Sequence, residues 1–196
     1  MPKPGHITPS KFSCIMAPKG IGKVALDYAD EIVLGILGVE IPQISARTLE
    51  WGIENEPIAR AKYEIDNFCE VPEVNEPIHH HEYDFICGTP DGFIENFKTG
   101  QKGILEIKCP SNSINHLKNL KFDTSQYHKL YKWQIQGYMW ITHREYAEFC
   151  SFDPRFPFGK QMAVHYIEYD KTAVEELESR LLEFWDIVQD KLSDHI

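Results

Sequence analysis

The chain has 196 residues, 42% hydrophobic and 12% aromatic, which places it among globular proteins and suits one domain with a substantial core. No apolar run approaches the ~20 residues of a membrane span. The N-terminal Met1-Pro2-Lys3-Pro4-Gly5-His6 carries no secretory pattern, so a cytoplasmic location is expected.

Residues 6–16 read as a turn followed by a short helix, with Ser10 as its cap. Residues 17–23, Ala-Pro-Lys-Gly-Ile-Gly-Lys, form a loop that lacks the glycine, lysine and hydroxyl spacing of a phosphate-binding loop, so nucleotide binding there is rejected. A helix is expected over 23–38. Another spans 46–68 and should kink or break beside Glu56, where Pro57 removes a hydrogen-bond donor. Strands are expected within 77–95, around the turn Gly88-Thr89-Pro90-Asp91-Gly92, and over 103–109. One strong helix should run from Gln126 to His143, with Tyr131, Gln134 and Tyr138 on a shared face. Strands at 146–152 and 161–169 follow. A final amphipathic helix runs from about Thr172 to Lys191, lined by Val174, Leu177, Leu181, Phe184 and Val188. This order of elements predicts an α/β (α+β) core with a central mixed sheet flanked by helices, and one domain over residues 1–196.

The five cysteines are odd in number and widely spaced, with no Cys-x-x-Cys pair. They read as reduced, partly buried thiols and not as zinc ligands or a disulfide framework. The run His79-His80-His81 reads as a surface feature, because neighbours on a strand alternate faces and cannot all converge on one ion.

The informative pair of segments is Thr89-Pro90-Asp91-Gly92 and Leu105-Glu106-Ile107-Lys108-Cys109-Pro110, joined by the turn-rich stretch Asn96–Gly103. A hairpin of that length brings Asp91 and Glu106 side by side. Glu106 and Lys108, two apart on a strand, share one face, and Leu105 and Ile107 face a core on the other. Two carboxylates and a lysine are what Mg²⁺-dependent cleavage of a phosphodiester needs. The Ile107 carbonyl is a candidate further ligand, and Glu56 a third carboxylate able to reach a second metal. Lys108 would orient or deprotonate water, or offset charge on the phosphate, and Gln134 can donate to it, to the water or to the phosphate. Asp-Gly is usually only a turn, and Glu-x-Lys is common on exposed strands. The specific signal is the ordered set Glu56, Asp91, Glu106-x-Lys108, Gln134.

That set resembles the PD-(D/E)xK nuclease superfamily, and within it the phage lambda exonuclease group of YqaJ-like viral recombinases. Ile7-Thr8-Pro9-Ser10 is similar to the family's N-terminal segment, and Trp51-Gly52-x-x-x-Glu56 to its first acidic motif. The two central segments match its core motifs, Tyr131-x-x-Gln134-Ile135-Gln136-x-x-Met139-Trp140 its catalytic helix, and Phe152-Asp153-Pro154-Arg155 its Tyr-Asp-Pro-Arg turn. The resemblance covers about residues 6–170. It implies a restriction-endonuclease-like core and a Mg²⁺-dependent exonuclease, with Mn²⁺ as a substitute. Such an enzyme digests one strand of linear duplex DNA 5′ to 3′ and leaves 3′ single-stranded overhangs for recombination by strand annealing.

Carried over by motif, Asp91, Glu106 and Glu56, with the Ile107 carbonyl, would bind metal. Lys108 would assist the nucleophile and Gln134 would complete the site. Ser10 would meet the 5′-phosphate. Lys3 is the nearest match to the family's arginine there, without its bidentate fork. Leu49 matches a residue that wedges the strands apart, and Tyr131 is placed at the DNA. The resemblance further implies a homotrimeric ring around DNA, a single-strand-annealing partner, and a phage or prophage origin in a bacterial cytoplasm. The formal net charge of −10 runs against DNA binding, whose nonspecific part comes from Lys and Arg on phosphates. Bound metal, the basic cluster Lys118, Lys121, His128, Lys129 and Lys132, or a ring with a basic hole would reconcile the two. A site-specific or structure-specific endonuclease on the same core is the alternative enzyme. A non-catalytic DNA-binding module is the alternative outside enzymes, but it has no need to keep like-charged acids together.

Overall fold

A computed structural model describes residues 4–39 and 47–194. Its centre is a four-stranded mixed sheet in the order β3 (Gly92–Glu95), β4 (Lys102–Lys108), β5 (Tyr146–Phe152), β6 (Met162–Glu168). The β4–β5 pair is parallel and the two outer pairs are antiparallel. Parallel neighbours need a long crossover, and α4 (Ser113–Asn119), α5 (Thr124–Leu130) and α6 (Lys132–Thr142) supply it. A small two-stranded sheet, β1 (Ile78–His79) with β2 (Cys87–Gly88), precedes β3. The mixed sheet flanked by helices is the expected architecture.

Strand alternation sorts the core into two layers. Ile104 of β4 joins Ala147, Phe149 and Ile167 under Tyr127, Tyr131, Ile135, Tyr138 and Met139 of the α5–α6 region. Leu105 and Ile107 point to the opposite face, where Ala59 and Tyr63 of α3 (Arg47–Asn67) cover them with Val71, Cys150 and Phe152. A third layer is helical: α1 (Phe12–Ile15) and α2 (Lys23–Ile36) pack with Leu177, Leu181, Phe184 and Val188 of α7 (Lys171–Ser193). Each of those α7 residues is fully buried, and Phe184 stacks on Tyr28. Caps mark the helix starts, with Asn112, Asp123 and Asp170 each accepting a backbone amide at the head of α4, α5 and α7.

Several local expectations are corrected. The stretch 125–144 is two helices, because Tyr131 sits at φ −126°, ψ −24° between α5 and α6. Pro57 lies inside α3 without ending it. The carbonyl that loses its helical donor belongs to Ile53, an exposed residue. Ser10 is not a cap; it lies in a 3₁₀ turn, Pro9–Lys11, with its hydroxyl 3.2 Å from Thr8 Oγ1. Lys118, Lys121, His128 and Lys129 are exposed on or beside α4 and α5, whereas Lys132 lies over the Trp133 ring and pairs with Asp170 at 3.8 Å.

The histidine run is not a surface feature throughout. His81 is exposed, but His80 is 2% exposed, its ring 4.1 Å from that of Trp140. Its Nδ1 accepts the amides of Glu82 and Tyr83. All five cysteines are reduced thiols, and among the described residues no helix is long and apolar enough to cross a membrane.

Beyond the end of β5, Asp153 is fully buried. It accepts from Arg155 Nε and Nη2, each at 2.7 Å, and from Ser113 Oγ at 2.8 Å. Arg155 also donates to the carbonyls of Pro110 and Ser111 and lies 4.3 Å over the Trp51 ring. One guanidinium thus ties the exit of β4 to α3.

Removing the Arg155 side chain leaves the buried Asp153 carboxylate without a counter-charge, held only by Ser113 Oγ and the amide of residue 155. Arg155→Ala is expected to cost about 3 kcal/mol in urea unfolding. Burial lowers the His80 pKa from 6.5 to about 4. Between those values the unfolded chain holds more protons than the native one, so His80 makes stability fall as pH drops from 6.5 toward 4. His80→Asn keeps an acceptor for the two amides, and its melting temperature should fall less over that interval than the parent's.

Candidate active site

Asp91 and Glu106 meet because of hairpin register. Gly92 pairs with Leu105 as the last step of the β3–β4 ladder, so Asp91 lies across from Glu106. The hairpin closes at Asn96–Gln101, where Asn96 Oδ1 accepts the amides of Lys98 and Thr99 and Gly100 takes φ +73°. At its other end the ladder stops, and the next amide of β4, that of Ile107, donates to Asp91 Oδ2 at 2.6 Å. Gly92 itself has no room for a side chain: a Cβ there would lie 2.2 Å from Val71 Cγ1.

Glu106 and Lys108 project toward α6, as their alternation with Leu105 and Ile107 requires. Glu106 is 1% exposed. Its Oε1 accepts from Lys108 Nζ at 2.6 Å and from Gln134 Nε2 at 2.8 Å. Its Oε2 is buried with no hydrogen-bond partner among the described residues. The Lys108 side chain is 28% exposed, and its ammonium is paired with Glu106. The structure therefore brings Asp91, Glu106, Lys108 and Gln134 together.

The centre is electrostatically loaded. Burial pushes the Asp91 carboxyl well above its ordinary range, and Glu106 and Glu56 push it further, with Lys108 opposing. Burial also raises Glu106, with Lys108 opposing and Glu56 adding to the rise. For Lys108 burial works downward, but Glu106 and Asp91 more than offset it, and the ammonium is held above its ordinary value. Lys108 is thus placed as a donor to Glu106. Burial, with Glu56 and Asp91, pushes the Cys109 thiol up to about 12, so it is not a thiolate nucleophile.

Glu56 stands at the edge of this group. Its side chain is 40% exposed, and Oε1 accepts from Arg60 Nη2 at 3.1 Å. Among the described residues no three His, Cys, Asp or Glu side chains form a ready-made metal cluster. Magnesium does not require one, since it is commonly held by one or two carboxylates with waters and substrate phosphates. A buried, unpartnered Glu106 oxygen beside a second carboxylate fits a hard divalent cation.

Ile107 lies within this centre, and the other expected residues lie around it. Ile107 is a buried strand residue whose amide serves Asp91. Ser10 is exposed in its 3₁₀ turn. Leu49 is 53% exposed on the first turn of α3, not part of the core. Tyr131, expected at the DNA, is 9% exposed, with its ring 4.8 Å from that of Phe149 at the α5–α6 joint. Lys3 lies outside the described residues. Sequence reasoning missed Arg60, whose signal was its i, i+4 spacing from Glu56, and the contacts that Asp153 and Arg155 make.

Residues 3–145 match the YqaJ-like viral recombinase domain. The chain is similar to the alkaline exonuclease LHK-Exo from Laribacter hongkongensis: 28% identity, TM-score 0.83, covering 97% of this chain and 91% of that one. A crystal structure of LHK-Exo in complex with dAMP aligns with TM-score 0.84 at 29% identity over the same shares of each chain. A phage-related exonuclease from Haemophilus somnus 129PT shares the fold, with TM-score 0.79 at 17% identity over 97% of this chain and 96% of that one. Among curated protein sequences no match is found. The chain belongs to the YqaJ-like viral recombinase family and is an enzyme of the exonuclease kind.

Proposed function

We propose that the protein is a Mg²⁺-dependent exonuclease, with Mn²⁺ as a substitute, that enters duplex DNA at an end. It digests one strand 5′ to 3′ and leaves a 3′ single-stranded overhang for recombination by strand annealing. The observation that supports this reading is the convergence of Asp91, Glu106, Lys108 and Gln134 where the β3–β4 hairpin ends. The crystallised complex of LHK-Exo with dAMP, a mononucleotide, fits an enzyme of that kind.

Asp91 and Glu106 would hold the cation, with the Ile107 carbonyl and Glu56 as further donors. A bound divalent ion supplies a water of lowered pKa and offsets charge on the phosphate. Lys108 orients or deprotonates the attacking water, or donates to the charge that builds on phosphorus. Gln134 holds Glu106 in place and adds a neutral donor. Exposed Leu49 suits a wedge between strands. Ser10 and Lys3 are assigned to the 5′-phosphate. The exposed cations Lys118, Lys121 and Lys129 supply backbone contacts that the net charge alone does not favour. A homotrimeric ring threaded by DNA, a single-strand-annealing partner and a phage or prophage setting in a bacterial cytoplasm complete the proposal.

Linear duplex labelled at either end should lose its 5′ label first in Mg²⁺. Closed circular duplex should stay intact, and a cut at one sequence in the circle would favour an endonuclease instead. Asp91→Ala should lower digestion at least ~100-fold, and Lys108→Ala about 10²–10³-fold, both retaining DNA binding in a gel-shift assay. Chelation with EDTA should stop digestion, and added Mg²⁺ should restore it.

A further inference from the structure

Arg60 belongs to none of the motifs above, yet it is 7% exposed and lies against Gly92, the neighbour of Asp91. Three of its contacts converge from two segments. Nη2 donates to Glu56 Oε1 at 3.1 Å, within α3. Nη1 donates to the Val71 carbonyl at 3.2 Å. Nε is buried without a hydrogen-bond partner among the described residues and lies 3.9 Å from Glu73 Oε1. The segment it grips, Val71 to Glu73, bridges onto Gly92, the residue after Asp91. A Cβ on Gly92 would stand 3.3 Å from Nη1.

The two ends of the Arg60–Glu56 pair differ in freedom. The Arg60 side chain is 9% exposed and held by a backbone carbonyl, whereas that of Glu56 is 40% exposed. The hydrogen bond runs through one guanidinium nitrogen and one carboxylate oxygen, without the bidentate fork that makes such pairs strong. Glu56 also stands in the field of Asp91 and Glu106. Without a counter-charge it would add a third negative group to two that already repel. Arg60 supplies that counter-charge from a fixed position, and Glu56 is the partner able to move.

We propose that Arg60 is a positioning residue that parks the Glu56 carboxylate at the rim of the Asp91–Glu106 centre as a reserve ligand. Glu56 exchanges the guanidinium for a divalent cation when one binds beside the first pair. The inference rests on the reading of that centre as a metal site. It makes the weaker of two cation-binding events a competition with Arg60. A merely structural ion pair would influence folding and leave cation affinity unchanged.

The test is Mn²⁺ titration, followed by the electron paramagnetic resonance of free Mn²⁺, of the parent, Arg60→Gln, Arg60→Lys, Glu56→Gln and the Arg60→Gln/Glu56→Gln double variant. Circular dichroism melts check that each is folded. Arg60→Gln should bind the second Mn²⁺ more tightly by at least about threefold, while kcat on end-labelled duplex falls roughly 10- to 100-fold. Arg60→Lys should return both values toward the parent. In the Glu56→Gln background the Arg60→Gln effect on affinity should vanish, because the pair being broken is already absent. Unchanged affinity in Arg60→Gln, or an equal shift with Glu56→Gln present, overturns the proposal. If Arg60→Gln does not fold, Glu56→Gln alone decides: a second Mn²⁺ bound as in the parent overturns it. A parent protein that binds no Mn²⁺ overturns the metal-site reading itself, and the inference with it.

Discussion

The bond from the Ile107 amide to the Asp91 carboxylate is the constraint on which the site depends. At the end of the β3–β4 ladder the next amide of β4 has no strand partner, and the Asp91 side chain takes the place of one. That single contact secures the open end of the hairpin and holds a buried charge-bearing group across from Glu106. The turn at Asn96–Gln101 and the glycine at 92 serve the same register. If the hairpin slipped by one residue, Leu105 and Ile107 would turn toward α6 and Glu106 would turn into the layer beneath α3.

Charge around this point is balanced from two sides of the sheet. Lys108 faces α6 and holds Glu106; Arg60 sits on α3 and holds Glu56. Asp91 lies between them with an amide as its donor. Arg155 secures the loop that leaves β4 by gripping Pro110 and Ser111 while it neutralises Asp153. Three cations are thus assigned to buried or half-buried acids near one strand end. This explains how an acidic chain keeps such a centre folded. An unpaired buried charge would be far costlier than these pairs.

Much of this was readable from residue order. Asp91, Glu106 and Lys108 follow from strand alternation and one turn, and Gln134 from helix spacing. β5, β6 and α7 were legible because each pattern is long and its boundary residues are unambiguous; Asp170 heads α7 as a cap. What escaped depends on neighbours distant in sequence. The break at Tyr131 is invisible to periodicity, since the apolar stripe continues across it while the ring turns toward Phe149. His80 looked like one of three surface histidines until Trp140 covered it. The face of α3 that is buried carries Asn55, Ala59, Arg60 and Tyr63, while its aliphatic residues Leu49, Ile53 and Ile58 are exposed. A hydrophobicity pattern alone points to the wrong face.

The unpartnered Glu106 oxygen has a consequence for how this protein can change. A native state that crowds acids together and leaves a buried carboxylate oxygen without a partner among the described residues is less stable than its core would otherwise allow. Exchanges that blunt the site, such as an amide for an acid, therefore gain rigidity at the expense of turnover. Selection for robustness alone would erode the centre first, so the strain persists where chemistry is under selection.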